Sequence, residues 1–198
     1  TILAVLIPAL VGFFAIILQP DAEDTILHGY QVIRILAWLE PEKYADSTAY
    51  QQLNSITAIG SGQLFGKGLD NNVIASVKNG NFISEPQTDF IFAVIGEEFG
   101  FKGCVLVVGL LIGISLECIA VARRAKDLAG RIICAGVGGL VAFQGFFNIG
   151  VATFILPNTG LPLPFVSYGL TSCMSLFIAM GFVLNVRLQA KKISQMNE

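Results

Sequence analysis

The feature that most constrains this chain is the length of its apolar runs. Residues 2–18, 101–122, 132–154 and 168–186 each approach the ~20 consecutive apolar residues that carry a helix across a bilayer core. Lys102 and Glu117 are the charged interruptions of the second run. Apolar and aromatic residues make up 54% of the 198, and charged residues 13%, against the ~25% usual in a soluble domain. A water-soluble chain of this length could not hide so much apolar surface, so lipid must be the solvent for much of it. An all-α multi-pass membrane protein is predicted. The chain opens without Met inside an apolar run and is expected to be the C-terminal part of something longer.

Charge orients the spans. Arg123, Arg124, Lys126 and Arg131 fill the short turn 123–131, and Arg187, Lys191 and Lys192 lie in the tail 187–198. Basic clusters beside span ends mark the cytoplasmic side. The loop 20–89 holds nine acidic residues against the basic Arg34, Lys43, Lys67 and Lys78. That loop and the turn 155–167 are therefore placed outside the cell. Within the loop, Ile33, Leu36, Ala37 and Trp38 form one amphipathic stretch, and Tyr50, Leu53, Ile56, Thr57 and Ile59 a second. Both are expected to lie on the outer membrane face or to cap the bundle.

The residue inventory excludes several chemistries. A net charge of −2 lacks the basic footprint of a nucleic-acid binder. Cys104, Cys118, Cys134 and Cys173 show no CxxC spacing and fall in apolar runs, as buried bystanders do. His28 stands without a partner cluster, and no Ser/His/Asp arrangement occurs, which argues against zinc and nucleophilic-hydrolase chemistry.

Three segments could carry function. Gly60-Ser61-Gly62-Gln63-Leu64-Phe65-Gly66-Lys67-Gly68 has the look of a phosphate cradle but fails the Walker A and GxGxxG spacings. Either it is a tight turn lying close to the bundle, the reading the residues favour, or a backbone nest with Lys67 as a point charge for a diphosphate. In the second segment, Ser84 and Gln87 have capping-box form, which predicts a helix from Glu85 with Pro86 in its first turn. That helix would place Asp89, Phe92, Ala93, Gly96, Glu97 and Gly100 on one stripe. A carboxylate at membrane depth costs about 2.5–3.5 kcal/mol on insertion scales, which makes Asp89 a functional candidate. Glu97 and Glu98 read as interfacial. The third segment, 155–169, has three prolines and two glycines yet is apolar, so it should be re-entrant, packed among helices or lining a wet cavity. Just before it, Gln144 and Asn148 share a helix face and read as inter-helix glue.

Longer motifs in the same segments point to a family. Thr88-Asp89-Phe90-Ile91-Phe92-Ala93 with Gly96-Glu97-Glu98-Phe99-Gly100, and Asn148-Ile149-Gly150 followed by Leu156-Pro157 and Gly160-Leu161-Pro162-Leu163-Pro164-Phe165-Val166-Ser167-Tyr168-Gly169, resemble the two signatures of SEDS proteins (shape, elongation, division and sporulation). This is the family of RodA, FtsW and SpoVE. Arg34-Ile35-Leu36-Ala37-Trp38-Leu39-Glu40-Pro41 and the glycine-rich 58–68 segment resemble further family stretches. Two departures stand out: Leu170 replaces a second glycine after Tyr168-Gly169, and Thr159 stands where division-type members often carry Lys. The latter leans away from a division role, toward the RodA or Gram-positive RodA/FtsW/SpoVE-like branch.

The resemblance implies a bundle of about ten spans, of which this chain is the last four. It also implies a glycosyltransferase that polymerises lipid II into peptidoglycan at the outer face of the plasma membrane, for elongation, shape or division. Asp89 matches the proposed catalytic aspartate, with Glu85, Thr88, Lys67, Arg34, Asn158, Thr159 and Ser167 as substrate contacts. A base would deprotonate the acceptor C4 hydroxyl as undecaprenyl diphosphate leaves, with inversion at C1. Burial would raise the Asp89 pKa and a helix N-terminus would lower it. The leaving diphosphate wants positive charge, from Arg34, Lys67, Lys78 or Lys102, or from a divalent cation (Mg2+ or Mn2+) on Asp89 and Glu85. The implied partners are a class B penicillin-binding protein and other divisome or elongasome proteins, with no nucleic acid. A lipid II flippase or a non-catalytic membrane scaffold are the alternatives, and the fragment alone is expected to be inactive.

Overall fold

The computed structural model describes residues 29–69 and 87–194. The apolar run 2–18 lies outside them, as do His28, Lys78, Ser84 and Glu85. The described residues are helical, with no strand among them. The chain divides into two units, Thr1–Tyr50 and Gln51–Glu198.

In the first unit, helix α1 (Gly29–Leu39) is followed by turns that run to residue 49. Of its expected apolar stripe, Ala37 is buried, Leu36 and Trp38 are half-buried, and Ile33 is exposed. The Glu40 amide donates to the Leu36 carbonyl at 2.8 Å and closes the helix. An exposed ion pair between Lys43 and Glu40, 3.5 Å apart, adds little in water.

The second unit carries α2 (Tyr50–Ser61), α3 (Ile91–Arg124), α4 (Leu128–Ala152) and α5 (Leu170–Ser194). Helices α3 and α4, and residues Leu170–Ala190 of α5, are long and apolar enough to cross a membrane. They contain most of the runs 101–122, 132–154 and 168–186. The helix expected to reach residue 154 instead ends at Ala152, where Thr153 caps it. The turn between α3 and α4 is only Ala125, Lys126 and Asp127, and the Asp127 carboxylate accepts from the Gly130 amide at 3.0 Å to start α4.

Small residues let α3 and α4 approach closely, as membrane helices require when lipid gives no hydrophobic drive. Cys134, Gly138, Val141, Gly145 and Asn148 are all buried along α4. A Cβ on Gly138 would lie 2.9 Å from Cys118 Cβ, and one on Gly145 would lie 3.3 Å from Leu111 Cδ1. Three of the cysteines thus behave as small buried residues, and all four are free thiols. The opposite faces bear Leu106, Leu110, Phe143, Phe146, Phe177 and Phe182, all exposed, so their surroundings must also be apolar.

Helix α2 packs through its polar face, which leaves part of its apolar stretch pointing outward. Its buried residues are Gln52, Ser55 and Ala58, whereas Tyr50 and Ile56 are exposed. The cause is the C-terminus of α4, whose last carbonyls have no helical partner. Gln52 Nε2 donates to the carbonyls of Val151 and Leu156, each at 3.0 Å, and Ser55 Oγ to that of Ala152 at 2.8 Å. Polar residues face inward because the helix end they meet presents carbonyls that need donors.

Helix α3 is broken at Gly100, whose φ of 66° and ψ of −162° belong to glycine alone. In an unbroken helix the amides of Phe101 and Lys102 would donate to the carbonyls of Glu97 and Glu98. Here the segment 63–68 is inserted between them. Lys67 and Gly68 donate to the carbonyls of Glu97 and Glu98 at 2.9 and 3.0 Å, while Phe101 and Lys102 donate to those of Gln63 and Leu64 at 2.8 and 3.4 Å. The close approach excludes side chains: a Cβ on Gly62 would overlap the Gly96 carbonyl oxygen, and one on Gly100 the Gly66 amide.

Gly100→Ala should therefore destabilise the protein by at least the ~1–3 kcal/mol of such a backbone strain. Gly113→Ala, where a Cβ meets nothing within 4 Å, should be neutral or stabilising. Thermal unfolding of the full-length protein in detergent compares them, and equal midpoints would contradict the insertion.

Candidate functional site

Asp89 sits in a turn of residues 87–90 that immediately precedes α3. The capping-box expectation is corrected here. Ser84 and Glu85 lie outside the described residues, and the helix starts at Ile91 after Phe90 rather than at Glu85. The reason lies in the carbonyls. That of Gln87 accepts from the Tyr168 amide at 2.9 Å, that of Thr88 from Ser167 Oγ at 2.6 Å, and that of Asp89 from Asn148 Nδ2 at 2.8 Å. Three successive acceptors are engaged by another part of the chain, which holds residues 87–90 in a turn ahead of the helix. The carbonyl of Phe90 is the first to accept helically, from Val94 at 3.4 Å.

The donors come from α4 and from the proline-rich turn 153–169. Asn148, 1% exposed, gives a second Nδ2 bond to the Leu161 carbonyl at 2.8 Å. Ser167 Oγ also accepts from the Leu163 amide at 2.7 Å. Leu163 and Pro164 are buried, so the turn is packed against the helices, as its apolar, helix-breaking sequence requires. Phe154, Gly160 and Phe165 adopt positive φ in it. Leu170, at the departure from the family pattern, is 78% exposed at the start of α5 and meets no crowding there.

Below Asp89, Phe92, Ala93, Gly96, Glu97 and Gly100 form the buried stripe of the short helical segment before the break. Glu97 is buried: its side chain is 2% exposed and pairs with Lys67 Nζ at 2.8 Å. The same pair corrects the nest reading of 60–68, because the amides of Gly66, Lys67 and Gly68 all donate to carbonyls and the Lys67 ammonium faces Glu97. Lys102 lies over the Phe65 ring at 4.0 Å. Among the expected substrate contacts, Ser167 has its hydroxyl engaged within the protein, Thr88 and Asn158 are half-buried, and Thr159 is exposed. Asn158 Oδ1 accepts from Gly160 in the tip of the turn at 3.2 Å. Arg34 is half-buried on α1 of the first unit.

No three His, Cys, Asp or Glu side chains converge among the described residues, and the second carboxylate expected beside Asp89, Glu85, lies outside them. One carboxylate does not make a divalent-cation site. The residue reading missed what Gln52, Ser55, Asn148 and Ser167 do. The available signal was an uncharged polar residue facing a stretch whose backbone cannot pair with itself.

A membrane protein with a carboxylate in a turn fixed at the end of a spanning helix is the class these features define. A family model described as cell cycle protein, of the FtsW, RodA and SpoVE type, matches residues 1–192, and the chain belongs to that family. It is 36% identical over 169 residues to the probable peptidoglycan glycosyltransferase FtsW of Bacillus subtilis, covering 85% of this chain and 41% of that protein. Stage V sporulation protein E of the same organism is 39% identical over 157 residues, covering 79% of this chain and 42% of the relative. The peptidoglycan glycosyltransferase MrdB of Escherichia coli is 35% identical over 170 residues, covering 86% and 45%. A solved structure described as "Structural coordination of polymerization and crosslinking by a peptidoglycan synthase complex" aligns with a TM-score of 0.65 at 31% identity, over 91% of this chain and 48% of that one. The chain thus spans less than half the length of these relatives.

Lys67→Met should destabilise the protein more than Lys67→Arg, because it removes the ammonium beside buried Glu97. The loss should fall below the ~3–5 kcal/mol of a fully buried pair, since 33% of the Lys67 side chain is exposed. Chemical denaturation of the full-length protein reads the difference, and equal stability of the two variants would contradict it.

Proposed function

We propose that the full-length protein is a peptidoglycan glycosyltransferase that polymerises lipid II at the outer face of the plasma membrane. In this reading the chain supplies the last four spans of a bundle of about ten, with a cytoplasmic C-terminus. The observation that carries it is the fixed turn holding Asp89 at the end of a membrane-length helix. The names of the relatives give the reaction class, and a substrate whose lipid tail stays in the bilayer suits a carboxylate at that level.

Asp89 acts as the general base. It takes the proton of the acceptor C4 hydroxyl as that oxygen attacks C1 of the donor, and the C1–oxygen bond to the diphosphate breaks with its electron pair on the leaving group. One displacement converts the α-linked donor to a β-linked product. Thr88, Asn158 and Thr159 lie on the two segments nearest this turn in the hydrogen-bond scheme and are proposed to meet the sugars or diphosphate. Glu85 and Lys102 are assigned to the same substrate, and a class B penicillin-binding protein is the proposed partner. A divalent cation on Asp89 and Glu85 is a separate proposal, supported by a rate that falls with chelator and overturned by one that does not.

A transporter would be expected to keep unwound backbone near mid-membrane for its cargo. The break at Gly100 has its amides and carbonyls matched by the inserted 63–68 segment, which favours surface chemistry over transport.

Glycan-chain formation from labelled lipid II, by the full-length protein with its transpeptidase partner, tests the proposal. Asp89→Asn should lower the rate by at least the ~10²–10⁴-fold contributed by a general base while leaving partner binding intact. Polymer at the wild-type rate from the variant would overturn the assignment.

A further inference from the structure

We infer that Asn148 and Ser167 are positioning residues for Asp89, a role that rests on the reading of Asp89 as the base. Inter-helix glue would pair Asn148 with a neighbouring helix. Instead its amide nitrogen bonds two loop carbonyls, those of Asp89 and Leu161, each at 2.8 Å. Ser167 bridges in the same way, donating to the Thr88 carbonyl at 2.6 Å and accepting from the Leu163 amide at 2.7 Å. Each side chain thus joins the acidic turn to the proline-rich turn, and the Tyr168 amide adds a third link at the Gln87 carbonyl. All three links reach main-chain oxygens on consecutive residues. They therefore set the direction of the Asp89 Cα–Cβ bond without bonding its carboxylate.

The burial of both side chains makes the links hard to replace. Asn148 is 1% and Ser167 7% exposed, so water has little access to a carbonyl left without its donor. The Asn148 Oδ1 and Gln144 Oε1 atoms are buried without a hydrogen-bond partner. Asn148 therefore holds its orientation through its two donated bonds alone. A displacement of the turn 153–169 is transmitted to Asp89 through these links, which makes the proline-rich signature part of the catalytic geometry rather than a separate binding element.

The test measures lipid II polymerisation by the full-length protein with its partner, with turnover expressed per lipid II-binding site so that unfolded molecules are not counted. Ser167→Ala and Asn148→Ala should each lower turnover by about 10–100-fold, the scale of a ~1 Å misplacement, with KM within about threefold of wild type. Ser167→Thr, which keeps the hydroxyl, should recover most of the rate. The acid limb of the pH–rate profile should move in Ser167→Ala and return in Ser167→Thr. Wild-type turnover per site and an unmoved pH profile in both alanine variants, with Asp89→Asn inactive, would overturn the positioning role and leave the base in place. Losses confined to the number of binding sites would overturn it too, since that marks a merely structural bond. Full activity of Asp89→Asn would overturn both readings.

Discussion

Backbone groups that leave a helix where the protein is packed must find partners within it, and this constraint organises the second unit. It acts at three places. At the end of α4, Gln52 and Ser55 take the last carbonyls. At the Gly100 break, four backbone bonds to residues 63–68 replace two helical ones. In the acidic turn, Asn148, Ser167 and the Tyr168 amide engage three carbonyls in a row. An unmatched amide or carbonyl there would cost several kcal/mol, so each irregular segment fixes the residue types that face it.

The consequence for the site is rigidity where a loop would otherwise move. The inserted 63–68 segment is bonded to the break in α3, through residues that begin at Glu97, and the acidic turn that precedes them is bonded to the proline-rich turn. Lys67 and Glu97 add an ion pair at the break. A side chain held in this way is preorganised, which is what the general base proposed above would need.

The membrane class, the runs now seen as α3, α4 and α5, and the packed nature of the apolar 155–169 turn were legible because burial in lipid leaves long apolar stretches and few exceptions. The stripe through Phe92, Ala93, Gly96 and Glu97 was legible from helical spacing. The start of α3 was not. The Ser84–Gln87 pattern is a local signal, whereas the carbonyls of residues 87–89 answer to partners some sixty to eighty residues away along the chain. What Gln52 and Ser55 do on α2 was not legible for the same reason: the carbonyls they meet lie at the end of α4, 99 and 97 residues away along the chain. The pairing of Glu97 was not legible because its partner, Lys67, lies in a glycine-rich segment that enters the helix break.

In the proposed reaction this backbone matching places the Asp89 carboxylate at the reacting hydroxyl. A structure of the full-length protein with its partner and two bound lipid II molecules or unreactive analogues tests this. An Asp89 oxygen is expected within the ~2.6–3.2 Å reach of the acceptor C4 hydroxyl, with the bonds from Asn148 and Ser167 intact. An acceptor hydroxyl seated against a different carboxylate, with the 87–90 turn released from Asn148 and Ser167, would contradict it.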